Sequence, residues 1–222
     1  MTLLEFSRGP MLHAALVIFV LGVLWRLTST VLAARRKNNA EPRVVGGPAL
    51  SGGLIAVGSR SWPHPEFIPR TGFGEAVGYG YHLGLFAIVL LGAPHVVFWK
   101  NLFGINAPFW PTLPTGIISV LSVVTVFLML IATLRRAAHP VLRRISNFDD
   151  WFTLAILYAL MLTGIMAVFG IGGRYETILA LHIISFNALL IWFPFGKLMH
   201  AFYIFPSRFV NGYMHTKKGA AS

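Results

Sequence analysis

Cysteine is absent from the 222 residues. Without a thiolate the chain cannot hold an iron–sulfur cluster through cysteine, attach a c-type haem covalently or form a disulfide. Any such centre has to reside on another subunit. Charge is scarce as well: 11% of residues are Asp, Glu, Lys or Arg, where a soluble domain carries about 25%. The seven acids (Glu5, Glu41, Glu66, Glu75, Asp149, Asp150, Glu176) all fall in loops or at the ends of predicted helices. A proton-coupled transporter needs carboxylates inside its spans, so their absence argues against transport. Neither an internal repeat nor a Walker, Rossmann or HExxH motif is present.

What remains is apolar: 56% of residues are hydrophobic and the mean hydropathy is +0.71. Five apolar runs approach the ~20 residues that a spanning helix needs. They predict an all-α integral membrane bundle with spans near 10–34, 77–100, 114–134, 150–170 and 177–204. The first run ends in Val31-Leu32-Ala33-Ala34 before a basic cluster, as a signal peptide does. Its apolar stretch exceeds the about 7–15 residues of a signal core and lacks a strongly basic leader, so it is expected to be retained.

The net charge of +11 invites a nucleic-acid reading, but the basic residues flank spans. One side of the predicted membrane holds Arg35, Arg36, Lys37, Arg43, Arg60, Arg70, Arg135, Arg136, Arg143, Arg144, Lys197, Arg208, Lys217 and Lys218. The other holds Arg8, Lys100 and Arg174, with Arg26 in the inner part of the first span. This asymmetry places the N-terminus outside and the C-terminus in the cytoplasm. Topology accounts for the charge, and no nucleic-acid partner is needed. Residues 38–76 read as a long Gly/Pro-rich cytoplasmic loop, with Gly46-Gly47-Pro48, Gly52-Gly53 and Trp62-Pro63-His64-Pro65 as turn signals. It is either a flexible linker or a docking surface for a cytoplasmic partner.

Eight histidines are present. His13, His64, His139 and His215 fall near span ends, in loops or in the tail, and need no role beyond solvation. His82 and His95 lie in the second predicted span, His182 and His200 in the fifth. Ionisable groups inside spans face the bundle interior and mark function. Eighteen residues separate His182 from His200, about five turns of a continuous helix, which would put both on one face roughly 27 Å apart. The two spans run antiparallel, so His82 shares the cytoplasmic depth with His200, and His95 shares the outer depth with His182. Two imidazoles at each depth suit bis-histidine ligation of two b-type haems. His82 and His95 are less regular: thirteen residues leave them about 140° apart, although Pro94 is expected to kink the helix there. Gly80, Gly84 and Gly92 would let a porphyrin lie near the backbone. Arg26 and Lys197 on one side, and Arg174 or Lys100 on the other, are candidates to pair with haem propionates.

These residues resemble the cytochrome b (gamma) subunit family of membrane-bound respiratory nitrate reductase. The fifth span carries the likeness: Leu181-His182, an aliphatic run, Phe193-Pro194-Phe195, Lys197 and Leu198-Met199-His200, followed by Pro206. Tyr81-His82-Leu83-Gly84-Leu85 and Leu24-Trp25-Arg26 add to it. The resemblance implies a single membrane cytochrome b domain with haem iron on His82 and His200 toward the cytoplasm. It likewise implies iron on His95 and His182 at the outer side, where quinol is handled. It also implies a prokaryotic cytoplasmic (inner) membrane and a cytoplasmic iron–sulfur partner subunit. The wider spacing of His82 and His95 and the longer first loop point to a relative serving another iron–sulfur/quinone redox complex, heterodisulfide-reductase-like or of sulfur metabolism.

The expected function is electron transport between the quinone pool and that partner, in either direction, with no catalysis by the chain alone. Quinol is expected near the outer haem, among the second and fifth spans and residues 101–114. His95 and Lys100 are candidate hydrogen-bond partners for a quinone oxygen; Lys100 also reads as an interfacial anchor. The rival is a haem-free membrane anchor for a soluble enzyme, with the histidines as interhelical hydrogen-bond donors.

Overall fold

The computed structural model describes residues 1–33, 48–104 and 110–219. Ten α-helices form among them: α1 (Leu3–Arg8), α2 (Pro10–Leu32), α3 (Ala49–Ser59), α4 (Ile68–Leu91), α5 (Ala93–Phe103), α6 (Thr115–Ala138), α7 (Pro140–Ile145), α8 (Phe148–Phe169), α9 (Tyr175–Trp192) and α10 (His200–Lys217). No strand of a sheet appears among the described residues. Five segments are long and apolar enough to cross a membrane: Leu3–Leu32, Pro65–Leu91, Thr115–Ala138, Phe148–Phe169 and Tyr175–Trp192. The protein is an all-α, multi-pass membrane bundle.

Three sequence expectations need correction. The second span does not run unbroken to residue 100. It stops at Leu91, and Gly92 takes an extended conformation (φ −70°, ψ 125°) before α5 begins with Pro94 in its first turn. Proline has no N–H to donate and its ring crowds the carbonyl four residues back, which ends the helix. The fifth span is broken too. After Trp192 comes Pro194, then an extended Gly196 and a short 3₁₀ turn, Lys197–Met199, before α10. His182 and His200 therefore sit on different helices, and five-turn arithmetic along one axis does not apply to them.

The third correction concerns residues 38–76. Arg35, Arg36, Lys37 and Arg43, and the turn signal at Gly46-Gly47, lie outside the described residues, but 49–59 form a helix rather than a loop, and the second span begins by Ile68. The Gly52-Gly53 pair is not a turn. Both are buried in α3 against α10, where a Cβ on Gly53 would meet the Phe209 ring at 2.7 Å. Gly212 of α10 likewise abuts Ala56 and the Gly52 backbone.

The chain divides into two units, 1–17 with 73–191 and 18–72 with 192–222. In the first, Ile88, Ile118, Met129 and Met161 form the buried core, joined by Tyr81, Leu85, Leu157 and Tyr158. Gly84 lets α4 approach Thr125 of α6, and Thr133 of α6 hydrogen-bonds Tyr158 of α8 at 2.9 Å. Asn147 and Asp150 form a capping box that starts α8. Asp150 also pairs with Arg136 at 3.2 Å. In the second unit, α3 packs along α10, and Arg208 donates to the Ser61 hydroxyl at 2.7 Å. The Tyr203 hydroxyl donates to the carbonyl of Arg26 at 2.8 Å, while Phe19, Phe193 and Phe202 form an aromatic cluster.

Candidate functional site

In the first unit, α5 and α9 bring His95 and His182 together. Their ring centroids lie 6.1 Å apart with planes inclined by 28°. His182 Nδ1 sits 2.9 Å from the carbonyl of Leu160 on α8 and 3.3 Å from the Thr163 hydroxyl. His95 Nδ1 sits 2.9 Å from the carbonyl of Ile88, at the end of α4. A carbonyl oxygen can only accept, so both Nδ1 atoms carry hydrogen, and in a neutral ring that leaves the lone pair on Nε2.

The other two histidines show the same local arrangement. His82 Nδ1 is 2.7 Å from the Gly78 carbonyl, and the His82 ring stacks on Tyr81 at 4.4 Å. His200 opens α10, with Nδ1 2.8 Å from the Lys197 carbonyl. His82 belongs to the first unit and His200 to the second. Anchoring one ring nitrogen to a backbone carbonyl is how metal-ligating histidines are held.

The donor set fits a bis-histidine haem at His95 and His182. With each Nδ1 held by a backbone carbonyl, Nε2 is the nitrogen of each ring that would meet an iron. Glycine supports the arrangement. A Cβ on Gly164 would lie 3.0 Å from His182 Cε1, and one on Gly92 would lie 3.2 Å from His95 Nδ1. Among the described residues no group of three or more His, Cys, Asp or Glu could hold a bare metal ion. A haem iron asks the protein for two ligands only.

The remaining candidates are dispersed. Arg26 is exposed on α2 in the second unit; its carbonyl is bonded by Tyr203, three residues past His200, and Lys197 supplies the His200 anchor. Arg174 lies in the loop before α9, 3.5 Å from Glu176, with both side chains exposed; such a pair contributes little. Lys100 is half-buried in the last turn of α5, where a cation suits the carbonyl end of a helix. Five residues separate it from His95, about 140° around the helix, so α5 points the two side chains in different directions. Residues 105–109 of the expected quinol loop lie outside the described residues.

Two of the three glycines expected beside a porphyrin, Gly80 and Gly84, have other neighbours. A Cβ on Gly80 would meet Leu128 of α6 at 2.8 Å, and one on Gly84 would collide with Thr125. These glycines serve the contact between α4 and α6. Gly164, Thr163 and the carbonyls of Gly78, Leu160 and Ile88 escaped the sequence reading. Backbone acceptors leave no trace in side-chain identity, and Gly164 gains meaning only once α8 lies against α9.

A protein of Nitratidesulfovibrio vulgaris, which carries no functional name, is 31% identical over 229 aligned positions, spanning 98% of this chain and 96% of the relative. No family model matches the sequence, and no solved structure matches it.

Proposed function

The chain belongs to the family of that Nitratidesulfovibrio vulgaris protein, and we propose that it is the di-haem b membrane subunit of a respiratory redox complex. In this reading it passes electrons between the quinone pool and a cytoplasmic iron–sulfur partner subunit. The observation that carries the reading is the pair His95 and His182, with rings 6.1 Å apart and each Nδ1 held by a backbone carbonyl. His82 and His200, each anchored through Nδ1 in the same manner within its own unit, are the other two proposed iron ligands.

When bound, haem would supply one-electron transfer, with His95 and His182, and His82 and His200, as the residues that would hold it. The chain's own contribution is to present Nε2 lone pairs, hold the rings in orientation and keep the site inside an apolar bundle. Arg26 and Lys197 on one side and Arg174 on the other are assigned to propionate pairing; of the two quinone candidates Lys100 is kept, because in this reading the Ile88 carbonyl and the iron engage both ring nitrogens of His95. The cation asymmetry supports an outside N-terminus and cytoplasmic C-terminus, in a prokaryotic cytoplasmic membrane. The absence of cysteine is why the iron–sulfur centre is placed on a partner.

The test is haem content per chain and a reduced-minus-oxidised spectrum of the purified protein, repeated on His95→Ala and His200→Ala. Two b-type haems, one lost in each variant, are expected. A colourless wild-type protein would instead favour a haem-free anchor whose histidines serve only as the hydrogen-bond donors described above.

A further inference from the structure

We propose that Trp99, Trp110 and Gly92 are positioning residues for His95, acting through the carbonyl end of α4; the proposal rests on His95 being a haem ligand. The last carbonyls of any helix lack an intrahelical donor, and inside a membrane each must find one. Here every one of the four is met. Ile88 accepts from the Gly92 N–H at 3.0 Å and from His95 Nδ1 at 2.9 Å. Val89 accepts from the Trp99 indole at 2.9 Å, and Leu90 from the Trp110 indole at 2.8 Å. Leu91 accepts from the backbone N–H of Leu113 at 2.9 Å.

The Leu90 bond is the most telling. In an unbroken helix its donor would be residue 94, but Pro94 has no N–H. Trp110, twenty residues along the chain, supplies the missing hydrogen. The Val89 bond does something different. His95 and Trp99 are four residues apart and so share one face of α5, and both reach the end of α4. Two donors on one face fix the rotation of α5 about its own axis, and with it the direction in which His95 Nε2 points. Gly92 is required because a Cβ there would lie 2.7 Å from the Ile88 oxygen and 3.2 Å from His95 Nδ1. Tryptophan is suited to this task because its indole only donates. Phenylalanine would keep much of the volume and lose the bond.

The orientation of an axial imidazole and the hydrogen bond on its other nitrogen tune the iron. The full-length protein carrying Trp99→Phe together with Trp110→Phe is therefore expected to keep two haems. The haem that His95→Ala eliminates should shift in midpoint potential and in its low-spin ferric EPR signal, and the other haem should not. Two unmoved haems would overturn the proposal. Should the double variant not be recovered, a benzothienyl analogue at Trp99, which lacks only the N–H, gives the same readings. If the wild type binds no haem, the functional reading fails on its own, and nitrogen-15 spectra of histidine-labelled protein decide the positioning role. An Nδ1-protonated His95, assigned against His95→Gln and lost in the variant, supports it; an unchanged ring overturns it.

Discussion

Gly164 of α8 lies against the ring of His182 of α9, so closely that a Cβ would stand 3.0 Å from Cε1 and 3.3 Å from Nδ1. Contacts of this length force the neighbour to move by a few tenths of an ångström, and His182 is tethered to Leu160. Gly164→Ala is expected to retain two haems while altering the spectrum of the one lost in His182→Ala. Gly164→Val should lose that haem altogether, as read by pyridine haemochrome content per chain.

Asp150 joins two tasks: its carboxylate accepts from the Asn147 backbone N–H at 2.9 Å and pairs with Arg136 at 3.2 Å. Its side chain is only 9% exposed. Asp150→Ala removes half of the capping box and leaves a partly shielded guanidinium without its carboxylate partner, though still donating to Ser146. The expected loss is about 1–3 kcal/mol, seen as a lower thermal midpoint in detergent. Haem content should not change.

Asn187 is fully buried, with its amide donating to the Ser7 carbonyl at 2.8 Å and its side-chain oxygen unmatched among the described residues. Asn187→Asp replaces the donor with a charged acceptor facing a carbonyl, and should destabilise by about 3 kcal/mol or more. Asn187→Leu loses one bond but also removes the unmatched oxygen, so its cost should stay below about 1.5 kcal/mol. Thermal melts of the two variants side by side check the order. An equal cost would contradict it.

Gly212 has no room for a side chain, because a Cβ there runs into the Gly52 backbone and Ala56. Backbone cannot yield as a flexible side chain does. Gly212→Val should therefore pry α3 from α10, costing about 1–3 kcal/mol. Limited proteolysis should then cut within or beside 49–59, a segment the packed helix protects.

Much of this fold is legible from composition. The five spans follow from apolar length alone, and each predicted run overlaps a helix of the structure. The breaks were only half legible. Pro94 signals one, and Pro194 with Gly196 signals the other, yet a hydropathy profile runs straight through both because their neighbours are apolar. Helix α3 was hidden for the opposite reason. Its Gly52-Gly53 pair looks like turn chemistry, and glycine as a packing surface is recognisable only when Phe209, Gly212 and Thr216 of α10 lie against it.

By itself, the sequence determined that the chain lives in a membrane, how many times it can cross, that no thiolate chemistry is available to it, and which four histidines lie within apolar runs. These are properties of composition and length, which the bilayer reads one segment at a time. Tertiary structure alone decided which nitrogen of each ring is held, which glycines face a ring and which face a helix, and where α4 surrenders its last carbonyls. Those outcomes depend on hydrogen-bond partners far apart in the chain, such as Trp110 for Leu90 and Leu160 for His182. In an apolar solvent every backbone group must find a partner, and folding settles which one.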